Sequence, residues 1–147
     1  MYKRILVPVD GSETCERALV AALQLAHESQ GSVHLVHVLD ELAYLTGYEY
    51  GGDLLQVARD YAGKVLADAS AMARSAGVAA DTRLMETPGG RLGELIAEEA
   101  RSWKADLVVV GTHGRRGVSR VLLGSGAEQV LRLAPVPVLA VRSTEPA

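Results

Sequence analysis

A segment that contains several glycines follows the most apolar short run of the chain. Asp106-Leu-Val-Val-Val110 leads directly into Gly111-Thr-His-Gly114, and after nine intervening residues Gly124 precedes Ser125. Glycine allows positive φ and a close approach of the backbone to a ligand. A helix that begins near Ser125 would add unpaired N–H groups and the positive end of its dipole. The pattern therefore predicts a phosphate-binding loop and, with it, a nucleotide ligand.

The same residues also allow a purely structural interpretation. The glycines could only turn the chain, Ser125 could only cap a helix, and Arg115, Arg116 and Arg120 could form a solvated face instead of a phosphate contact. The lysine-containing P-loop pattern does not occur, and the first strand is followed only by Asp10-Gly-Ser12 where a dinucleotide fingerprint would stand. Spacing alone leaves phosphate binding and simple turn formation open.

Apolar runs typical of buried strands alternate with amphipathic segments typical of helices. The predicted strands are 4–9, 32–39, 78–86, 107–111 and 136–141, and the predicted helices are 13–29, 53–76, 91–102 and 125–133. Alternation predicts a parallel sheet with right-handed crossovers. The first and fourth strands are the most apolar and should be central, whereas Pro137 places the last strand at an edge. We expect one α/β domain over residues 1–147, a Rossmann-like or flavodoxin-like doubly wound five-stranded sheet in the order 3-2-1-4-5.

Such sheets bind ligands beyond the carboxyl ends of their strands, where the strand order reverses. If strands one and four are neighbours, that crevice lies between Asp10-Gly-Ser12 and the Gly111–Gly114 loop. Asp10 could hold Mg²⁺ through a phosphate, because hard cations prefer oxygen ligands, or it could only cap the turn. We favour a binding role for Asp10. His113 could act as an acid or base, but a backbone role in the loop is the preferred interpretation.

Composition limits the partners and the compartment. The net charge of −3 gives no general attraction for nucleic acid or an anionic membrane, and no apolar run reaches the ~18 residues of a membrane span. Cys15 is the single cysteine, so no internal disulfide can form. Together with the lack of a recognisable signal peptide, this predicts a cytoplasmic protein. Cys15 lies near a helix start, which can lower a thiol pKa, but a buried structural role is the favoured interpretation.

The remaining polar side chains do not form an obvious catalytic set, so no catalytic residue is predicted. His34 and His37 share a strand at odd spacing and should face opposite sides of the sheet, which makes them a poor pair of metal ligands. Glu98 and Glu99 are interpreted as part of a solvated helix face. The tyrosines of residues 40–52 could cover a base, contact a second subunit or belong to a mobile loop.

The chain resembles the universal stress protein family along nearly its whole length. The resemblance is carried by 3–12, 37–40, 105–114, 124–125 and 134–141. Residues 111–125 read G-x2-G-x9-G-[ST], which is the pattern of the ATP-binding branch of that family. The family resemblance raises the expectation of nucleotide binding well above what spacing alone supports.

The resemblance also implies roles for individual residues. Pro8, Val9 and Asp10 would border the ribose and adenine, with Asp10 near the ribose or a metal-bound phosphate, and Val38 would offer backbone contacts to adenine. The triphosphate path would be lined by Gly111, His113, Gly114, Gly124, Ser125 and Gly126. The implied cofactors are ATP, or ADP or AMP, together with Mg²⁺. Relatives often carry Val or Thr where this chain has Gly126, which could admit the phosphates more closely or weaken the helix start by up to ~1 kcal/mol.

The implied function is that of an ATP-binding regulator or sensor in the stress response. Two alternatives stay open at this point: a slow ATP hydrolase or phosphotransferase, and a protein-interaction module without nucleotide. The resemblance further implies a homodimer in which the last strand, Val136–Val141, pairs antiparallel with its copy, and an unidentified regulatory protein partner.

Overall fold

The computed structural model describes residues 2–40, 51–87, 91–112 and 125–142. Strands and helices alternate along these ranges as the sequence predicts. The strands are β1 (Arg4–Pro8), β2 (Ser32–Asp40), β3 (Ala79–Thr87), β4 (Leu107–Gly111) and β5 (Val138–Val141). The helices are α1 (Glu13–Ser29), α2 (Gly51–Ser75), α3 (Leu92–Trp103) and α4 (Ser125–Leu133). In the part of the chain so described, no helix is both long and apolar enough to cross a membrane.

The five strands form one parallel sheet in the order β3-β2-β1-β4-β5, which confirms the predicted fold. Ile5 of β1 lies between Val33 of β2 and Leu107 of β4. β5 lies at the edge, as Pro137 predicts, and it is shorter than expected because the strand begins after this proline. The carbonyl of Pro137 still accepts a hydrogen bond from the Val108 N–H at 3.0 Å.

Helices cover both faces of the sheet, so the domain is doubly wound. On one face, Ile5 and Val7 pack with apolar residues of α1 and α2. On the other face, Leu6 packs with Ile96 of α3 and Val130 of α4. Ile5, Leu6 and Val7 of β1 are completely buried, and burial of each such aliphatic side chain stabilises the fold by about 1.5–3 kcal/mol. The alternation of faces along β1 explains why its sequence is a continuous apolar run.

The helix ends follow local rules at several places. The Ser12 hydroxyl accepts a hydrogen bond from the Cys15 N–H at 3.2 Å and so caps α1. Gly77 has φ +73° just after α2, a conformation that glycine adopts readily at the end of a helix. α2 begins at Gly51, two residues before the predicted start at Asp53. The prediction placed these two glycines in a loop because glycine has a low helix propensity.

A polar cluster around two buried side chains, near the amino ends of the strands, contradicts one prediction. Glu99 was expected on a solvated face, yet it is only 5% exposed. Its carboxylate pairs with His34 Nε2 at 2.6 Å and accepts a hydrogen bond from Arg83 Nη1, also at 2.6 Å. His34 Nδ1 contacts Asp81, and the His34 ring stacks on Trp103 with centroids 4.8 Å apart. We call these five residues the His34 cluster.

Sequence inspection missed the His34 cluster because its members come from three separate elements. Glu98 and Glu99 do diverge on α3, as expected, but Glu99 turns toward the sheet while Glu98 is exposed. The available signal was the spacing of Asp81 and Arg83, which places both side chains on the same face of β3 as His34 on β2. The Glu99 carboxylate, which is turned toward this face, therefore contacts both His34 and Arg83.

Candidate functional site

The carboxyl ends of β1 and β4 lie side by side at the point where the strand order reverses. β1 pairs with β2 on one side and with β4 on the other, so the chain segments that follow β1 and β4 diverge from this point. Parallel doubly wound sheets bind ligands in such a crevice. The residues after Pro8 and the residues from Gly111 onward therefore form the candidate site.

The exit of β1 is a tight turn built by Asp10, Gly11 and Ser12. The Ser12 N–H donates a hydrogen bond to Asp10 Oδ1 at 2.8 Å, which is the local turn typical of aspartate. Gly11 has φ +84°, a conformation that residues with side chains rarely adopt. Asp10 thus does cap a turn, and the same turn leaves it exposed at the strand end, where a ligand could reach it.

Hydrogen bonding keeps Asp10 ionised. Burial raises the pKa of Asp10, but hydrogen bonds from the side chains of Ser12 and Cys15 and from the Ser12 N–H, with an electrostatic contribution from His37, together outweigh it, so the pKa lies below its ordinary value. Burial and the nearby Asp10 charge raise the pKa of Cys15 to about 12. The carboxylate is therefore available to bind a cation or a hydroxyl, and the thiol is protonated, in agreement with a structural role for Cys15.

Side chains from β2 and α2 form hydrogen bonds with main-chain carbonyl groups at the β1 exit. His37 Nδ1 lies 2.8 Å from the carbonyl oxygen of Val9, to which it donates, and the Tyr61 hydroxyl donates to the carbonyl oxygen of Asp10 at 3.0 Å. The two rings meet edge to face with centroids 6.5 Å apart. Sequence reasoning missed Tyr61, because nothing near it in the chain indicates a contact with a residue 51 positions away.

The predicted adenine-side residues surround this exit. Val9 is buried and its N–H donates to the carbonyl oxygen of Val36 at 2.8 Å, while Pro8 and Val38 are half-buried. Val38 lies near the carboxyl end of β2, the strand next to β1. The structure therefore brings Pro8, Val9, Asp10 and Val38 to one end of two neighbouring strands.

The exit of β4 is crowded around Gly111 and contains a polar atom without a partner. A Cβ atom on Gly111 would lie 2.6 Å from the carbonyl oxygen of Thr14, so glycine is required there for the close packing of α1. Thr112 is only 1% exposed, and its N–H donates to the carbonyl oxygen of Val141 at 2.9 Å. Within the described ranges, its buried hydroxyl has no hydrogen-bond partner. Buried hydroxyls are nearly always paired, so an unpaired one beside a glycine loop fits a ligand oxygen.

The start of α4 lies against α3. A Cβ atom on Gly126 would lie 2.5 Å from Leu92 Cδ2, so this glycine lets the first turn of α4 pack closely on α3. Neither sequence-based explanation of Gly126, closer phosphates or a weaker helix, included this packing. α4 begins at Ser125 as predicted, and the first N–H groups of a helix have no partner within the helix.

Several predicted residues lie outside the described residues. They are His113, Gly114 and Gly124 of the glycine pattern, Arg115, Arg116 and Arg120 between them, and positions 41–50 of the tyrosine-containing segment. The described part of the site therefore consists of the β1 exit, the β4 exit and the start of α4.

The described residues fit an anionic nucleotide with a cation. The Thr112 hydroxyl and the α4 amino terminus offer hydrogen-bond donors, which suit phosphate oxygens. Asp10 offers a carboxylate, which suits a hard cation or a ribose hydroxyl. The hydrogen-bond donors thus lie at the β4 exit and the start of α4, and the carboxylate lies at the β1 exit. A nucleotide could contact the donors with its phosphates and the carboxylate with a ribose hydroxyl or a bound cation.

The profile of the universal stress protein family matches residues 1–142. This chain belongs to the universal stress protein family. A universal stress protein of Methanocaldococcus jannaschii is 34% identical over 145 residues, covering 97% of this chain and 83% of the relative. The crystal structure of a universal stress protein family member from Burkholderia pseudomallei has 36% identity and a TM-score of 0.79, with 97% of each chain covered.

A third universal stress protein, from Archaeoglobus fulgidus, was solved in complex with dAMP. It is 26% identical to this chain with a TM-score of 0.71, and the match covers 95% of this chain and 98% of that one. A universal stress protein with this fold can therefore hold an adenine nucleotide. The likeness of all three proteins extends along nearly the whole domain described above.

Proposed function

We propose that this universal stress protein binds an adenine nucleotide, ATP with Mg²⁺ foremost, and acts as a regulator or sensor in the stress response. The observation that carries the proposal is the buried Thr112 hydroxyl at the β4 exit, which has no hydrogen-bond partner among the residues that the structure describes. A phosphate oxygen placed there would satisfy it. The dAMP complex of the Archaeoglobus relative supports the choice of adenine.

The proposal assigns a different part of the ligand to each strand exit. The backbone of Gly111, the Thr112 hydroxyl and the amino terminus of α4 would face the phosphates, together with the residues His113, Gly114, Gly124, Ser125 and Gly126. Pro8, Val9 and Val38 would border the adenine and ribose. Asp10 would repel a bare phosphate, so it would bind either a ribose hydroxyl or the Mg²⁺, which neutralises phosphate charge.

Replacement of Thr112 by valine tests directly whether the Thr112 hydroxyl binds the nucleotide. Valine has nearly the same shape but no hydroxyl, so Thr112→Val should weaken Mg-ATP binding about tenfold, the scale of one hydrogen bond to a charged group. The same change should raise the free energy of unfolding of the nucleotide-free protein by up to ~1 kcal/mol, because it removes an unpaired buried polar atom. Calorimetric titration and thermal unfolding measure the two effects.

The matched control is Thr82→Val on β3, where the threonine is exposed and distant from the site. It should leave the affinity for Mg-ATP unchanged. Equal affinities of wild type and Thr112→Val would contradict the phosphate role of Thr112. Titrations with ADP and AMP, with and without Mg²⁺, and mass spectrometry of nucleotide released from denatured protein would identify the ligand.

The same measurements separate the two alternative functions. Phosphate release from ATP that disappears in Asp10→Ala or His113→Ala would indicate a hydrolase or phosphotransferase. A failure of wild-type protein to bind ATP, ADP or AMP would indicate an interaction module without nucleotide. We expect binding without significant turnover, because the described site contains no nucleophile held by a base.

A homodimer through Val136–Val141 forms part of the proposal, along with a regulatory protein partner and a cytoplasmic location. β5 is an edge strand, and Leu131, Leu133 and Leu139 near this edge are each 39–40% exposed. Proteins rarely leave such an edge uncovered. Sedimentation of wild type and Leu139→Lys tests the dimer: the variant should be monomeric at concentrations where the wild type is dimeric.

A further inference from the structure

We propose that Tyr61 of α2 is a positioning residue for the nucleotide site, acting through Asp10. The inference rests on the proposed function and extends it, because it assigns to a residue outside the glycine pattern the task of fixing the carboxylate that meets the ligand. Its support comes from three contacts at the β1 exit.

The first contact is the hydrogen bond from the Tyr61 hydroxyl to the carbonyl oxygen of Asp10, at 3.0 Å. Asp10 lies two residues beyond the end of β1, so its carbonyl belongs to the turn rather than to the strand. Within that turn, Ser12 holds the Asp10 side chain and Tyr61 holds the Asp10 main chain. The Asp10 residue is thereby held at both its side chain and its main chain.

The second contact is the fit between Tyr61 and Gly11. A Cβ atom on Gly11 would lie 2.3 Å from the Tyr61 hydroxyl oxygen and 3.1 Å from Val65 Cγ2. The tyrosine therefore occupies the space that any side chain at position 11 would need. Gly11 satisfies two demands at once: a positive φ for the turn and room for the phenol above it.

The third contact involves His37 of β2. His37 donates to the carbonyl oxygen of Val9, the residue before Asp10, and its ring meets the Tyr61 ring edge to face. Two consecutive carbonyls at the β1 exit are thus held by side chains of two other elements. His37 is buried, whereas Tyr61 is 51% exposed at the edge of the site.

Removal of the Tyr61 hydroxyl should loosen the Asp10 turn without emptying the site. A binding group held in its productive orientation before the ligand arrives gives a higher affinity than one that must be ordered on binding. Tyr61→Phe keeps the ring and its contact with His37 but loses the hydrogen bond. We expect it to weaken Mg-ATP binding about fivefold, the scale of one neutral hydrogen bond.

A double-mutant cycle with Asp10→Asn distinguishes positioning from general damage. If Tyr61 acts through the Asp10 carboxylate, Tyr61→Phe should weaken Mg-ATP binding in the wild-type background but should have no further effect in Asp10→Asn. The control is Tyr2→Phe, which removes the same group from a half-buried tyrosine before β1, at the opposite end of the sheet, and should leave affinity unchanged. Calorimetry of all five proteins gives the cycle and its control.

A second cycle needs no nucleotide. Gly11→Ala should lower the unfolding temperature, and part of that loss should be recovered in Gly11→Ala/Tyr61→Phe, because the closest remaining ring atom lies 3.2 Å from the new methyl group instead of 2.3 Å. Additive effects in both cycles, or a wild-type affinity of Tyr61→Phe, would overturn the role of Tyr61 while leaving nucleotide binding intact. No binding of Mg-ATP by the wild type would overturn the proposed function and this inference with it.

Discussion

The two ends of the sheet treat their polar groups in opposite ways. Near the amino ends of the strands, the His34 cluster pairs a buried carboxylate with a histidine and an arginine, and an aromatic ring stacks on the histidine. At the carboxyl ends, Asp10 is exposed, Gly11 has positive φ and the buried Thr112 hydroxyl is unpaired in the part of the chain that the structure describes. Satisfied polar groups stabilise one end, whereas unsatisfied ones leave the other end able to bind.

The comparison teaches where a substitution should affect stability and where it should affect affinity. Arg4 extends the paired end further, because its guanidinium lies 4.0 Å from the Trp103 ring centroid and donates to the Trp103 carbonyl. Changes in this region should destabilise the fold without altering nucleotide binding. Changes at the strand exits should alter binding more than stability.

The largest expected effect comes from breaking the His34 cluster. Glu99→Ala should lower the free energy of unfolding by about 3–5 kcal/mol, because it leaves the buried His34 and the Arg83 guanidinium without their shared partner. Glu98→Ala is the matched control on the adjacent, exposed position and should change stability by no more than about 0.5 kcal/mol. Urea unfolding measures both, and equal effects would contradict the comparison.

An intermediate effect is expected from two glycine-to-alanine changes of opposite sign. Gly111→Ala forces a methyl group against the Thr14 carbonyl and should cost about 1–3 kcal/mol of unfolding free energy. Gly63→Ala lies inside α2 with nothing within 4 Å of the new methyl group, so it should stabilise the protein by about 0.5–1 kcal/mol. Thermal unfolding of both variants checks the sign, and a neutral Gly111→Ala would show that the β4 exit is less crowded than described.

The smallest effect concerns the pH dependence of Asp10. Its pKa is lower in the folded protein than the ordinary value of 3.8, so its ionised form contributes stability above that value. The contribution should be lost as the pH falls through the folded pKa. Asp10→Asn should therefore be less stable than wild type at neutral pH, and the difference should shrink below about pH 4. A constant difference from pH 7 to pH 2.5 would contradict the assignment.

Hydrophobic patterning carries most of the fold in this sequence. β1 and β4 are continuous apolar runs because both faces of a central parallel strand are covered, and Pro137 indicates an edge because it lacks an N–H group. Gly51 at the start of α2 could not be predicted in the same way, since glycine has a low helix propensity.

The site was predictable only where its contacts are local. The Asp10 turn depends on residues two positions apart, and the start of α4 at Ser125 follows the glycine pattern. The Tyr61 contact and the Glu99 contact join residues 51 and 65 positions apart, so they depend on the completed fold. The sequence analysis singled out Gly126 because it is a glycine. The structural reason for a glycine at this position is contact with Leu92, which belongs to another helix.

Cys15 gives the β1 exit a built-in chemical reporter. With a pKa of about 12, roughly one thiol in 10⁵ is ionised at neutral pH, so peroxide and alkylating reagents should attack the folded protein very slowly. Separation of the first turn of α1 from Asp10 should speed alkylation, because the thiol would then lose contacts that raise its pKa. Because Cys15 is the single cysteine of the chain, a thiol-specific label reports on this position alone.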